Sequence, residues 1–351
     1  MIVESVPNFS EGRRFEVIQR LAAAAGPRLL DADPDGDHNR LVLSIGGAAE
    51  AVLESVFEAI AIAVETIDLR AHRGVHPRVG AADVVPFIPL RADDGLGPCV
   101  EIAHRLGERV WDELRVPVVY YGAAAPGGRR ALREIRGPSP PPPDLGNGRH
   151  PTAGWVCIGV RWPLIAYNVL LPGVPVATAA LIAKSIRWAE GGPHGVQALG
   201  FPVTLGSQVS MNLTAPDVTP PAAALAAVQL RAAALGVRAG ADEVVGLCPV
   251  AFGLPAASGA LLECRLAAAG CRLAAGVASG RGDGPGQRLA EQFTEAGARL
   301  ATLPFERSAL SAGAAEIDLL SALILSEDLA CAEALDLLSY SAAELRRAGE
   351  A

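Results

Sequence analysis

The densest chemistry in this 351-residue sequence runs from His72 through Arg73, Gly74, Val75, His76, Pro77, Arg78, Val79 and Gly80 to Asp83. Imidazole gains and loses a proton near neutral pH without a large pKa shift, so a histidine among guanidiniums in a loop suits general acid–base work. Two other uses compete with that one. The His72/His76 spacing is that of paired metal ligands on one helix face, although Gly74 and Pro77 make a poor helix interior and no third ligand is obvious. A lone polar-loop histidine is also commonly structural. The surrounding arginines and glycines favour the acid–base use among the functional readings, and no metal is expected.

Such a loop needs a scaffold to hold it. Ile2–Phe9 is expected as a buried strand, followed by a turn at Ser10-Glu11-Gly12 and an amphipathic helix from about Phe15 to Ala25. Strands at Arg28–Ala32 and Leu41–Ile45 flank Asp33-Pro34-Asp35-Gly36-Asp37, whose residue types suit a hairpin turn. Ala48–Ile67 places Leu53, Val56, Phe57 and Ile60 on one helix face. Val84–Leu90, a helix near Cys99–Leu114 and a strand at Val116–Tyr121 complete a β-α-β-β-α-β pattern with an α-β extension. The run Gly137-Pro-Ser-Pro-Pro-Pro-Pro143 favours extended polyproline and is expected to be a linker. Beyond it the pattern restarts: a strand at Trp155–Leu171, a helix at Val176–Ala189, strands at Val196–Val203 and Gln208–Thr214, a helix at Pro221–Leu235 and a strand at Glu243–Val250. That is again the split βαβ arrangement. From about Pro255 the sequence turns Ala-rich and helical, interrupted at Gly276–Gly286. The expected division is therefore 1–136, a linker over 137–148, a second unit over 149–255 and a helical extension over 256–351.

Composition narrows the function. Half the residues are hydrophobic, 19% are charged and the net charge is −8, a balance unsuited to neutralising nucleic-acid phosphates. Lys184 is the only lysine, so a Schiff-base mechanism would rest on one residue of an amphipathic helix. The six cysteines form no C-x-x-C pair and sit in apolar runs, which suits buried free thiols in a reducing compartment. Trp162–Ala183 is uncharged and long enough to span a bilayer, yet Pro163, Pro172, Gly173 and Pro175 break it into a strand, a turn and a helix start. A soluble, cytoplasmic protein without membrane or nucleic-acid partners is expected.

Several motifs then fall in order. Val6-Pro-Asn-Phe-Ser-Glu-Gly-Arg13, Asp31-Ala-Asp-Pro-Asp-Gly-Asp-His-Asn-Arg40, Ile67 through Pro89, His150-Pro-Thr-Ala-Gly154, Leu164-Ile-Ala-Tyr-Asn168, Val209-Ser-Met-Asn-Leu-Thr214 and Val244-Val-Gly-Leu-Cys-Pro249 resemble the formiminotransferase family across about residues 1–255. The resemblance implies an α/β (α+β) fold of two ferredoxin-like βαββαβ subdomains with mixed sheets, here followed by a helical C-terminal extension. It implies a dimer and a tetrahydrofolate-dependent one-carbon transferase of histidine degradation, which moves the formimidoyl group of N-formimidoyl-L-glutamate to N5 of the folate. His76 would be the acid–base catalyst and Asp33 an acidic residue facing the same site. Asn8, Arg40, Arg78 and the stretch Gly146, Asn147, Gly148, Arg149, His150, Pro151, Thr152, Ala153 and Gly154 would bind folate. Arg73 and Arg161 would add to a locally positive groove. The sequence departs from the family at Val75, where many relatives carry Glu, and at Trp155, where small residues are common. Transfer to a different amine, or a non-catalytic folate-binding protein, are the competing readings; retention of His76 and Asp33 argues against the second.

Overall fold

The computed structural model describes residues 1–128, 130–253 and 260–350. The chain separates into two compact units, Met1–Pro163 and Leu164–Ala351. The division falls at Pro163 rather than at the proline run. Asp144 and Leu145, just past that run, bond to the backbone of Val118, and the Asp144 carboxylate accepts from the Tyr120 amide and pairs with Arg130. Those bonds tie the run to the first unit. The boundary expected at residues 255 and 256 lies outside the described residues.

The first unit is a seven-stranded sheet backed by helices. Its elements are β1 (Ile2–Ser5), β2 (Asn8–Phe9), α1 (Phe15–Ala24), β3 (Leu29–Asp35), β4 (Arg40–Ala48), α2 (Ala49–Thr66), β5 (Ala82–Pro89), α3 (Gly97–Leu114), β6 (Val118–Gly122), α4 (Leu132–Ile135) and β7 (Val156–Val160). The expected first strand is two because Pro7 cannot donate to the ladder. The Asn8 side-chain amide donates to the Val6 carbonyl at 2.8 Å and closes the kink. Spatially, β3 pairs with β4, β4 with β1 and β2, and these with β5, all antiparallel; β7 and then β6 extend the sheet in parallel. The first four positions are the split βαβ order, and β7 and β6 make the sheet mixed.

Two sequence expectations change here. Asp33–Asp35 belongs to β3 and the turn is Gly36–Asn39. As an edge strand, β3 accommodates Pro34 with its ring outward. Trp155–Leu171 is not one strand but β7 in the first unit and, beyond Arg161–Leu164, the first strand of the second unit.

Strand alternation divides the first sheet into two faces. Val3, Leu41, Leu43, Ile45, Val85, Phe87, Ile158 and Val160 pack against Leu21 of α1, Val52, Val56 and Ile60 of α2, and Ile102 and Leu106 of α3. The opposite face carries Glu4, Arg40, Ser44, Asp83 and Arg161. It has its own apolar cluster of Val79, Val84, Val119, Tyr121, Ile135, Trp155 and Cys157.

The second unit opens with β8 (Ile165–Pro172), α5 (Val176–Ile186), β9 (Val196–Val203), β10 (Gly206–Leu213), α6 (Pro221–Ala234) and β11 (Asp242–Val245). Sheet order is β11-β8-β10-β9, again the ferredoxin-like order. Every neighbouring pair is antiparallel, where a mixed sheet was expected. The reason is that β10 returns between β8 and β9, so the parallel strands joined by the α5 crossover never touch. A short parallel pair, β12 (Leu247–Cys248) and β13 (Ala260–Leu261), leads to α7 (Leu262–Ser279), α8 (Gly284–Leu300), α9 (Arg307–Ser326) and α10 (Ala332–Glu350). The helical break is shorter than Gly276–Gly286, because Gly276 lies inside α7. These helices share a core that includes Cys271, Phe293, Leu300, Ile317 and Leu338. All six cysteines are buried and none is in a disulfide. Among the described helices α9 is long and apolar enough to cross a membrane, with Leu310, Ala314, Ile317, Leu320 and Ile324 buried in the helical core.

One close approach fixes the site described next. A Cβ on Gly80 would lie 1.7 Å from the Trp155 carbonyl oxygen, where a backbone bridge joins Gly80 to Gly154. Gly80→Ala is therefore expected to lower stability by about 3 kcal/mol, seen as a Tm fall of roughly 5–10 °C. Gly36→Ala, with open space around its Cβ, leaves Tm unchanged in the same thermal melt.

Candidate active site

The segment from Ile67 to Gly80 leaves α2 without regular structure and is held by its neighbours. At its start the Leu69 amide donates to the Thr152 carbonyl, and at its end Ala81 donates to Ala153 and Trp155 to Val79. Between these points it clasps the β3–β4 turn. His72 is buried, its Nε2–H donates to the Asn39 carbonyl at 3.0 Å, and burial pushes its pKa down. The Asn39 side chain returns the contact, donating to the Arg73 carbonyl at 2.9 Å and accepting from the Gly12 amide at 2.9 Å. Asn39 has φ of 50°, a left-handed conformation that asparagine tolerates. Gly74 is required because a Cβ there would meet the His38 carbonyl oxygen at 2.2 Å. Arg78 donates to the carbonyls of Gly74 and His76 and closes the loop on itself.

These contacts separate the two histidines. His72 is a structural pin. His76 presents its ring to β4: Nδ1 lies 2.7 Å from the Pro77 carbonyl oxygen, and Arg40 Nη1 lies against the ring, 2.6 Å from Nε2 and 2.9 Å from Nδ1. A carbonyl only accepts, so Nδ1 carries the proton and the lone pair is on Nε2. Burial first, then the Arg40 and Arg136 guanidiniums, push the His76 pKa down to about 2, against a smaller upward effect of the Pro77 carbonyl. The resting imidazole is neutral, with its basic lone pair on Nε2.

Two groups to which the sequence reading assigned no role hold this arrangement. Asp83 is buried at 3% exposure; Oδ1 accepts from the Val79 amide at 2.6 Å and Oδ2 pairs with Arg136. Arg136 follows Ile135, which is anchored in the apolar cluster on the same face. Asp83 was visible as a polar residue entering a buried strand; Arg136, beside the proline run, gave no local signal.

The expected site residues divide accordingly. Arg40 contacts His76 directly, and Arg78 braces the loop. Asp33 is half-buried on β3 opposite Val42, on the same face of the ladder as Arg40 and two residue pairs along. The carboxylate whose charge reaches the Arg40 guanidinium from β3 is that of Asp35, opposite Arg40 in the ladder. Asn8 uses its side chain in the β1–β2 kink. In the 146–154 stretch, Gly146, Gly148 and Gly154 have positive φ. His150 and Gly154 exchange backbone bonds, and His150 Nδ1 accepts from the Ala153 amide at 3.0 Å. Trp155 Nε1 donates to the Gly148 carbonyl and Arg149 lies 4.1 Å over the Trp155 ring. Pro151 and Thr152 lie in the turn, and the Thr152 carbonyl accepts from the Leu69 amide. The histidine loop and the 146–154 loop are thus brought side by side. No cluster of three or more His, Cys, Asp or Glu able to hold a metal occurs among the described residues.

Glu4 shares the polar face at 7% exposure, and burial raises its pKa to about 7 against the pull of Arg161.

Two pH-dependent outcomes follow. Arg40→Met removes the nearest charge from His76, so its ring is expected to titrate at higher pH than in the parent chain, as read by nitrogen-15 NMR. Because the native ring stays neutral while the unfolded ring protonates near 6.5, His76 subtracts stability as pH falls below that value. Glu4 acts in the opposite sense. It retains its proton in the native state between about 4.5 and 7, so its contribution is lost as pH rises through that window. Glu4→Gln is expected to remove that loss, of the order of 2–3 kcal/mol between pH 5 and 8, in urea unfolding at the two pH values.

Comparison with known proteins agrees with the geometry. Residues 2–161, nearly the whole first unit, match the family model for the formiminotransferase domain, N-terminal subdomain. A glutamate formimidoyltransferase of Thermoplasma acidophilum is 38% identical over 268 residues, covering 71% of this chain and 88% of that protein. One from Streptococcus pyogenes serotype M1 is 36% identical over 267 residues, covering 71% and 89%. A formimidoyltransferase-cyclodeaminase of Gallus gallus is 38% identical over 272 residues, of which this chain covers 50%. The chain belongs to the formiminotransferase family, a family of one-carbon transferases.

Proposed function

We propose that this chain is a glutamate formimidoyltransferase that moves the formimidoyl group of N-formimidoyl-L-glutamate to N5 of tetrahydrofolate, with His76 as its acid–base group. The observation that carries this reading is the neutral His76 ring. Its Nδ1–H is fixed by Pro77 and its lone pair is on Nε2, in a loop stitched to the 146–154 segment. The relatives' names supply the donor, and the motifs matched along the first unit support folate as co-substrate.

The residues suit such a ligand. Arg149 stacked on Trp155 offers an aromatic and cationic surface, and Arg78 and Arg40 add positive charge where a net charge of −8 would otherwise repel an anion. When bound, tetrahydrofolate supplies N5 as the nucleophile. His76 Nε2 takes the proton that N5 loses as the new bond to the amidine carbon forms. It then returns that proton to the nitrogen of glutamate as the old C–N bond breaks. One group passes the same proton in both directions, so no second acid is required. The amidinium carbon is already cationic, so a carboxylate on this face, from Asp33 or Asp35, stabilises it where an oxyanion hole would not. A homodimer and a cytoplasmic place in histidine breakdown accompany this reading.

The purified chain, given N-formimidoyl-L-glutamate and tetrahydrofolate, is expected to form 5-formimidoyltetrahydrofolate and free glutamate; no turnover of this donor, beside turnover of another amidine or of N-formylglutamate, would reassign the substrate. His76→Ala is expected to lower kcat by about 10²–10⁴-fold while folate binding persists, and an unchanged kcat in that variant removes His76 from the chemistry.

A further inference from the structure

The resting geometry contains a conflict. Arg40 Nη1 lies against the His76 imidazole, 2.6 Å from Nε2, the atom that must accept a proton, and 2.9 Å from Nδ1. Nothing in that contact favours catalysis, since a guanidinium has no lone pair to relay a proton and its charge opposes protonation of the ring.

The same guanidinium is short of partners. Among the described residues the Arg40 side chain bonds only to His76, and its Nε is fully enclosed with no hydrogen-bond partner. Arg136 shows the same deficit: one terminal nitrogen pairs with Asp83, and its Nε is enclosed and unbonded. Buried N–H groups without acceptors are uncommon, and two cationic ones near one imidazole call for an explanation. The local carboxylates do not provide it. Asp83 spends one oxygen on the Val79 amide and the other on Arg136. Asp35 accepts from the His38 amide at 2.8 Å and faces the His38 ring at 3.3 Å. His38 itself stacks 5.8 Å from His76, and Arg78 is committed to the loop carbonyls. Two enclosed guanidinium N–H donors near His76, those of Arg40 and Arg136, are thus left without an acceptor among the described residues.

We propose that Arg40 and Arg136 form a carboxylate-binding cradle beside His76, and that a carboxylate seated there draws Arg40 off the imidazole ring and frees the base. A carboxylate is an acceptor-only group with room for several N–H bonds, which matches two unpartnered guanidinium Nε–H groups. The inference rests on the donor assigned above, an amidine bearing carboxylates, and adds where one of them binds and what its binding does. Neutralising Arg40 and withdrawing it removes the largest of the charges that hold the ring neutral, so His76 becomes a competent base only in the occupied site. An amidine without a carboxylate leaves Arg40 against the ring.

Nitrogen-15 NMR of the histidine-labelled full chain tests this without turnover, with glutarate as probe and chloride as control. Saturating glutarate is expected to raise the His76 pKa by at least about one unit, and chloride to leave it in place. Arg136→Lys, which can still pair with Asp83 but lacks Nε, is expected to weaken glutarate binding by about tenfold or more with its circular dichroism unchanged. Formamidine, offered as a donor without a carboxylate, is expected to react faster when acetate is added. If glutarate binds and His76 does not shift, the cradle is refuted even where N-formimidoyl-L-glutamate turns over normally. If that donor is not turned over yet glutarate still shifts His76, the cradle stands and the donor assignment falls.

Discussion

One buried carboxylate, that of Asp83, organises the first unit's site. It sits at the start of β5, where the polypeptide passes from the histidine loop into the sheet, and has two oxygens with two different tasks. One receives the Val79 amide, which ends the loop; the other pairs with Arg136, delivered from beyond α4. A carboxylate at this depth is tolerable only if both oxygens are satisfied, and satisfying them brings together segments more than fifty residues apart. The Gly80–Gly154 bridge then has a fixed edge to form on, and the 146–154 loop takes its place beside the histidine.

The electrostatic consequence is an active-site candidate whose base is held neutral. Imidazole in water is half-protonated near pH 6.5, so a base poised there loses much of its population to the acid form in mildly acidic conditions. Enclosure and two nearby guanidiniums prevent that at His76. Keeping the ring neutral by positive charge also makes it a weak base, a tension that only a change in local charge can resolve. The folate and glutamate proposed as ligands are anions, so the positive surplus that suppresses the ring's basicity also suits the proposed ligands.

The sheet's second face has a related logic. A ferredoxin-like layer covers one face with helices and leaves the other to be used. Here that face carries Glu4, Ser44, Asp83, Arg40 and Arg161, among a small apolar cluster that fixes Trp155 and Ile135. β7 and β6 widen the layer so that Arg161, at the end of β7, and Tyr121, on β6, lie on the same face as Glu4. Burial keeps the Glu4 carboxyl protonated into the neutral range, so the face is less negative than its residues suggest.

The sequence by itself determined a good deal. Periodicity and breakers located α1, α2, α3, α5, α6 and most strands, and marked the C-terminal region only as helical, because hydrophobic spacing and Gly/Pro punctuation are local properties. The order of elements was enough for both split βαβ units, and the loop around His76 was identifiable from the types of its residues alone. Tertiary structure decided the rest. Which histidine is a pin and which meets Arg40 depends on where the β3–β4 turn lies, a contact between segments far apart in sequence. Asp35 rather than Asp33 stands opposite Arg40 because the hairpin register, set by the turn at Gly36–Asn39, fixes which residues pair. Trp155–Leu171 reads as one apolar run, yet it serves two sheets, since composition does not encode which strand a segment will join. Arg136 had no local mark at all, because its role comes entirely from the Asp83 carboxylate that waits for it fifty-three residues earlier in the chain.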